Sequence, residues 1–577
     1  MNAPGILARA RVWLWLLIPA AVFAAYRIYQ LRWVCDDAFI SFRYAKNLAS
    51  GLGLVFNAGE RVEGYSNFLW TLLSSAGLWC GVDPVSLTWV AGGVCYFGTA
   101  GLLFYLSWHL SGGEWLRLGA PVALLCWLLF RDAHVWATSG LETSSVTFLV
   151  TALYCTLLRA SKRRHYLIAG GLLALALLSR PDSLVYVAGS GLFILISDRR
   201  PVRALAVTLL PVLLIYVPYW VWRYGYYGFP FPNTYYAKSA GFPYWSQGIL
   251  YLRLFFESYY VLILLWPALG YLAWRLSPWT RVRLEDPSRR ASILALVFIT
   301  SYFLYVARVG GDYMFARFLM PVAPIMLFAI ELSWRALSTV RRHDWLFAIA
   351  LAALLVLRWD PFPDSRYRYM VVDESRVYPR VWHDVSRIAG AHLNRCLEGL
   401  PIRVVAGGER MAWAYYSDLP VILEGTGGLT DTALAHQTLT TRSRPGHEKW
   451  ATPEFLETRR YHLLLSAPYY NERPIDSLRR ILVAGLKLTL VTYDNELMEQ
   501  MRSRPDVEFI HLPSYLDSLL AGSADTSQAA RQERMTFLTR FYFDHNADTV
   551  RRLAMEARLR DVVQQTASAY AAPSARR

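Results

Sequence analysis

The chain has 577 residues, of which 55% are hydrophobic and 15% aromatic, with a mean hydropathy of +0.26. A soluble protein of this length is rarely so apolar, so a soluble enzyme is excluded. The net charge of +16 would suit a nucleic-acid partner in a soluble protein. Here Arg and Lys fall in short loops between apolar runs, so no nucleic acid is expected and the partner is membrane lipid.

Apolar runs of membrane length recur along the first two thirds of the chain. The predicted spans are roughly 12–30, 85–111, 117–131, 141–158, 165–179, 183–197, 203–222, 254–274, 291–308, 318–336 and 345–359, about eleven by hydropathy. The first run lacks a small-residue cleavage site and reads as a signal anchor. The run Phe68–Gly81 is short for a span and reads as a helix lying along the membrane surface. Basic loops at 159–164, 198–203, 281–290 and 335–342 alternate with the loops that hold Asp36-Asp37, ATSGLET, SRPDS, 223–248 and GGDYMFAR. The basic set is expected on the cytoplasmic side, with the N-terminus inside. Residues 360–577 lack membrane-length runs and are expected to form a soluble extracytoplasmic α/β domain with a loose C-terminal tail. IRVVAG, VILEG, HLLLS and LKLTLVTYD are its predicted strands, and 516–559 is helical.

Cys35, Cys80, Cys95, Cys126, Cys155 and Cys396 make no CxxC pair, and several lie in apolar runs. Neither a disulfide framework nor a zinc site follows.

The dense polar clusters all fall on the predicted outer side. The first outer loop, 31–84, carries Asp36, Asp37, Arg43, Glu63 and Asn67. Later outer loops bring Glu142, Arg180 with Asp182, Lys238, and Asp312 with Arg317. A carboxylate pair at a bilayer surface is costly unless it stays wet or has a task. One such task is taking the proton from an attacking hydroxyl. Arg and Lys could hold a phosphate-bearing lipid and stabilise charge on it as it leaves. Asp36-Asp37 alone reads equally as a wet loop or as a partner for Arg43, and each of the other charges equally as a structural ion pair.

DDAFISFRYAKNLASGLGLVFNAGERVEGYSN, ATSGLET, SRPD, GYYGFPFPNTYYAK and GGDYMFARFLMPVAP, in this order, resemble the GT-C membrane glycosyltransferases. Within these the blocks are most similar to the mycobacterial terminal β-(1→2)-arabinofuranosyltransferase type. EGTGGLTDTALAH and RPGHEK are similar to the outer domain of that type.

The resemblance implies a mainly α, polytopic GT-C fold over residues 1–359 and an inverting transfer in a bacterial inner membrane. It implies a polyprenyl-phosphate sugar donor, with decaprenyl-phospho-arabinofuranose expected, and a glycan or pilin-like acceptor. The catalytic base is carried onto Asp36 first, with Asp37 as the alternative. Arg180, Lys238 and Arg317 become candidates for phosphate contact. Arg43, Glu63, Asn67, Glu142, Asp312 and His447 become candidates for sugar or acceptor contact, or for bracing. No cofactor is implied and no metal spacing is seen; a divalent cation is left open.

The chain departs from that type in reading VEGYSN where the type has VEAN, which leaves the sugar and acceptor open. Mannose or aminoarabinose transfer, a lipid or glycan transporter, and a non-catalytic wall-assembly partner are the competing readings. A transporter would call for ionisable groups near span midpoints and for repeated or broken helices; the spans read clean in their middles and no repeat is seen.

Overall fold

The computed structural model describes residues 3–110, 120–276, 286–338, 341–358, 360–362, 367–407, 410–439, 441–465, 474–522 and 528–571. The chain divides into two compact units. The first holds residues 1–383 and 435–448; the second holds 384–434 and 449–577. The division therefore falls after His383 rather than at the expected 359/360, and a short segment from the distal half belongs to the first unit.

The first unit is helical. Its helices are α1 (Ala3–Gln30), α2 (Asp36–Ala49), α3 (Phe68–Trp79), α4 (Pro84–Leu110), α5 (Val122–Leu129), α6 (Arg131–Trp136), α7 (Thr143–Leu158) and α8 (Arg163–Ser179). There follow α9 (Leu184–Ser197), α10 (Pro201–Tyr227), α11 (Asn233–Ala237), α12 (Trp245–Ser258), α13 (Leu265–Leu276), α14 (Pro287–Val309), α15 (Ala323–Leu337) and α16 (Arg341–Val356). By length and composition α4, α10 and α14 can each cross a membrane alone. Shorter apolar helices include α3, α7 and the stretch Pro181–Ser197. Part of the predicted span 117–131 lies outside the described residues.

One expected span is corrected. The run 254–274 is not a single helix: α12 and the segment from Tyr260 bend by 109° at Tyr259. Tyr259 itself leaves the helical region, with φ −117° and ψ 60°, so the turn ladder stops there and restarts in a new direction. The break puts Tyr259 to use. Its hydroxyl donates to Asp132 Oδ2 at 2.7 Å, and Arg358 donates to the same oxygen at 3.0 Å.

Small residues let these helices approach closely, as bundles in lipid require. A Cβ on Gly170 of α8 would lie 2.1 Å from the Thr208 carbonyl oxygen of α10. At the opposite end of the bundle from Asp36, buried Glu331 of α15 accepts from Ser107 Oγ at 2.7 Å and from the Ala123 N–H at 2.8 Å, and pairs with Arg335 at 2.8 Å. It thereby caps the start of α5.

A hairpin of β1 (Tyr367–Arg368) and β2 (Val371–Val372) closes the first unit. The second unit is built on a mixed sheet of β3 (Arg403–Ala406), β4 (Val421–Glu424), β5 (Leu463–Leu464), β6 (Arg480–Val483), β7 (Leu486–Leu490) and β8 (Val507–Phe509). The strand order is β4-β3-β5-β7-β6-β8. β3 runs parallel to β4 and β5, and the remaining pairs are antiparallel. Four of these strands match the predicted ones, and the helices 512–521, 528–538 and 549–571 cover the predicted helical stretch. β6 and β8 were not expected, because RILV and VEF are too short to show alternation. Val405, Leu423, Leu456, Leu464 and Val491 form the core beside the sheet.

Candidate active site

The acidic pair opens α2. The loop ATSGLET holds that helix end in place. The Cys35 N–H donates to the Ser139 carbonyl at 2.8 Å, and the Trp70 indole donates to the Gly140 carbonyl at 2.8 Å. Gly140 has φ +78°, and a Cβ there would lie 2.8 Å from Val34 Cγ2 and 2.9 Å from Ala38 Cβ. Only glycine fits that left-handed position at such close range. Both carboxylates sit at the positive end of the α2 dipole, which lowers the cost of their charge. They differ in access. Asp36 is 3% exposed, whereas Asp37 is half-buried and accepts a hydrogen bond from the Tyr313 hydroxyl at 2.9 Å. Burial, and then Asp37 and Glu374, push the Tyr313 phenol well up, so it stays protonated and remains a donor.

Glu142 is the hub beside the pair. Its Oε2 accepts from Asn67 Nδ2 at 2.9 Å, and its Oε1 from Arg180 at 3.1 Å and Arg317 at 3.4 Å. Ser41 and Thr71 donate to the other end of the Asn67 amide, at 3.0 and 3.2 Å. Arg180 also grips Asp182 through two nitrogens, at 2.9 and 2.8 Å, and Arg317 pairs with Asp312 at 3.5 Å. Glu142, Asn67, Asp312, Arg180 and Arg317 thus form one buried network. Both arginines expected at a phosphate are already engaged with carboxylates. Arg317 Nε is the exception: it is buried and has no hydrogen-bond partner among the described residues.

Lys238 follows α11 and is half-buried. It lies close to Gly446, whose Cβ position would be 3.6 Å from Lys238 Cε and 3.6 Å from the Tyr313 ring. This places the segment 435–448 in the site. His447 packs edge-on against Tyr313 with ring centroids 4.4 Å apart. Arg444 lies over the Tyr313 ring at 4.7 Å and pairs with Glu374 at 3.8 Å. Arg442 clips the segment by bonding Glu448 at 2.6 Å and the Phe242 carbonyl at 2.8 Å. Burial, then the Arg444 and Lys238 charges, lower the His447 pKa to about 4 against the opposing pull of Asp37. The imidazole is therefore neutral at pH 7.

Of the residues carried as sugar or acceptor contacts or as braces, two are tied to the protein itself. Glu63 is bidentate to Arg223 of α10, with both side chains 4% exposed. Arg43 donates to the Phe56 carbonyl at 2.8 Å and to Asn57 at 3.4 Å, holding the loop after α2. Asp431 caps the Leu434 N–H at 2.8 Å and pairs with Arg459 in the second unit. Three important groups were missed. Tyr313 lies inside the GGDYMFAR block, where only Asp312 and Arg317 stand out as charges and nothing marks its phenol. Arg223, a lone charge at the end of an apolar run, was the available signal for the Glu63 pair. Arg444 adjoins the RPGHEK block. Among the described residues no three His, Cys, Asp or Glu side chains gather as a metal-binding group.

A half-exposed carboxylate, an adjacent phenol donor and a lysine on one helical scaffold can accept a proton and hold an anion close by. The fold is shared with a solved structure. Over most of its length the chain superimposes on the apo crystal structure of ArnT from Cupriavidus metallidurans, with a TM-score of 0.54, 13% identity, and coverage of 83% of this chain and 98% of that one. The same protein bound to undecaprenyl phosphate matches with a TM-score of 0.50, 13% identity, and coverage of 74% and 88%. The chain has the GT-C fold. In sequence the chain is 32% identical over 345 residues to the terminal β-(1→2)-arabinofuranosyltransferase of Mycobacterium tuberculosis, covering 54% of each. It is 28% identical over 369 residues to the enzyme of that name from Corynebacterium glutamicum, covering 56% of this chain and 52% of the relative. The chain thus spans about half the length of the curated relatives it matches. No known sequence-family profile matches it.

Proposed function

We propose that the protein is an inverting glycosyltransferase of a bacterial inner membrane, with its site on the outer face. It transfers a sugar, D-arabinofuranose in the first instance, from a polyprenyl-phosphate donor to a glycan or pilin-like acceptor. The observation that carries this is the acidic pair at the amino end of α2, with Asp37 half-exposed under Tyr313 and Lys238 in the same unit. The activity named for the two relatives supports the sugar, and the ArnT structure with undecaprenyl phosphate supports the donor class.

In the proposed reaction the acceptor O–H gives its proton to a carboxylate of the pair. Its oxygen bonds to the anomeric carbon as the bond from that carbon to the phosphate oxygen breaks. Polyprenyl phosphate leaves as an anion, met by Lys238 and the Nε–H of Arg317. Asp37 is the more accessible carboxylate; Asp36 is the deeper member of the pair. Glu142, Asn67 and Asp312 hold the arginines and the helix end in register. His447, neutral beside Tyr313, shapes the acceptor side. No cofactor enters this scheme, and a chelator is expected to leave the rate unchanged.

The test is an in-membrane assay with synthetic polyprenyl-phosphate sugars. Arabinofuranose, mannose and aminoarabinose donors are compared against extracted acceptors. Transfer from the arabinofuranose donor that disappears in the Asp36→Asn/Asp37→Asn double variant supports the proposal. Full transfer by the folded double variant sinks the mechanism, and preference for another donor changes the sugar.

A further inference from the structure

A second charged site lies at the other end of the bundle. α7 begins beside Glu142 and runs 16 residues, about 24 Å, away from it. α8 returns to Arg180, α9 leaves from Ser183, and α10 and α14 start at that far end and finish at Tyr227 and Val309. Between these far ends lies a cavity of about 890 Å³. Arg163, Arg199, Arg200, Arg203 and Arg290 line it, with Asp198 as the lining carboxylate.

Two of the arginines differ in role from the rest. Arg290 ties the start of α14 to the ends of α7 and α9, donating to the carbonyls of Leu157, Ala160 and Ser197 at 3.3–3.4 Å. It builds the floor. Arg199 has its own interaction. By contrast, Arg163, Arg200 and Arg203 have no carboxylate partner among the described residues. Asp198 is occupied by the Tyr166 hydroxyl and the Arg200 N–H. The amino ends of α8, α10 and α14 converge on the same space, adding the positive ends of three long helix dipoles. Ile196 of α9 and Val207 of α10 give the lining an apolar side, and Ile196 continues into an open apolar face of α9, where Leu192, Leu195 and Ile196 are 49%, 52% and 48% exposed. A solvated cytoplasmic loop explains the charge alone. It does not explain a cavity that joins that charge to an exposed apolar wall.

We infer that this cavity binds the phosphate of an anionic phospholipid, with the acyl chains lying along the α9–α10 wall. A lipid headgroup and a soluble phosphate share the arginine chemistry. The apolar wall is what favours the lipid.

The experiment is native mass spectrometry of the full chain released from nanodiscs of phosphatidylglycerol mixed with phosphatidylcholine. Competition with inorganic phosphate and ATP runs in parallel. Retention of phosphatidylglycerol over phosphatidylcholine is expected on the order of a hundredfold, from about a fivefold gain per basic side chain for three of them. The triple variant R163Q/R200Q/R203Q loses that preference, and the triple Arg→Lys variant keeps most of it. Circular dichroism and elution volume check that each variant is folded, and the single R200Q variant, at an exposed position, reports if the triple does not fold. Equal retention of the two lipids, or a preference unchanged in the folded variants, overturns the inference. Displacement of the lipid by millimolar phosphate or ATP overturns the lipid assignment in favour of a soluble anion.

Discussion

Replacing either member of the Glu63–Arg223 pair is expected to cost stability before it costs substrate affinity. Glu63 lies in the loop after α2 and Arg223 near the end of α10, 160 residues apart, with both side chains 4% exposed. Burial pushes the Glu63 carboxyl up to about 6, while its bonds to Arg223 hold it down. Arg223→Met removes those bonds and leaves a buried acid. Glu63→Gln leaves a buried guanidinium whose remaining partner is the Pro230 carbonyl at 2.7 Å. Breaking one side of a buried pair costs about 3–5 kcal/mol. Unfolding entropy near about 2.1 cal/mol/K per residue turns that into a fall in apparent Tm of about 3–4 °C for a chain of this size. The Glu63→Gln/Arg223→Met double variant strands no charge, so it falls by less than the two singles together, with a coupling of about 1–3 kcal/mol. The assay is thermal unfolding of purified protein in one detergent, read alongside KM for donor and acceptor. Single shifts below 1 °C, or shifts that simply add, refute the brace. A raised acceptor KM with unchanged Tm in Glu63→Gln returns Glu63 to the sugar.

Four further outcomes follow from the same geometry. Asp37→Asn should lower kcat in the sugar-transfer assay by about 10²–10⁴-fold with the protein still folded, the usual weight of a positioned base; a comparable loss only in Asp36→Asn moves the base one residue back. Lys238→Gln should raise the donor KM on the order of ten- to hundredfold, as loss of a charged hydrogen bond does, with Tm unchanged; an unchanged KM removes Lys238 from the phosphate. Gly140→Ala should lower activity and Tm together, since a left-handed alanine costs about 1–2 kcal/mol and the clashes with Val34 and Ala38 add about 1–3 kcal/mol; wild-type behaviour would mean the loop shifts freely. His447 has a bound-state pKa of about 4, below the ordinary value of 6.5, so the undocked segment takes up more protons in that window. Docking of 435–448 is therefore complete above about pH 6.5 and is lost as pH falls toward 4. Protease cleavage within 435–448 should rise from pH 7.5 to pH 5, and His447→Gln should flatten that rise.

Much of this protein is written locally. Apolar runs need only length and hydropathy to declare a helix, so α4, α10 and α14 stand where the sequence puts them. The strands IRVVAG and VILEG show as short apolar runs between turns, and they pair as β3 and β4. The ordered motif blocks also named the scaffold: residues from the DDAFIS, ATSGLET, SRPD and GGDYMFAR blocks meet at one end of the bundle. The break at Tyr259 was hidden because hydropathy averages over a window and cannot see that a phenol inside it is needed by Asp132, 127 residues earlier. β6 and β8 were hidden because they are too short for any periodicity.

The roles of single charges were decided by tertiary structure alone. Loop charge groups Glu63, Glu142, Arg180 and Arg317 in one expected set of loops, but it carries no information on which cation each carboxylate meets. Those pairings are set by helix ends brought together across tens to hundreds of residues. Packing turned Glu63 into a brace with Arg223, tied Arg180 and Arg317 to Glu142, and left Lys238 as the less committed cation. It also gave Asp36 and Asp37 different exposures although they are neighbours, since consecutive residues on a helix point about 100° apart. The chain by itself determined that an acidic pair stands at the mouth of a helical bundle. Only the fold decided that one carboxylate is sunk and the other faces Tyr313, because burial belongs to a neighbourhood and not to a residue.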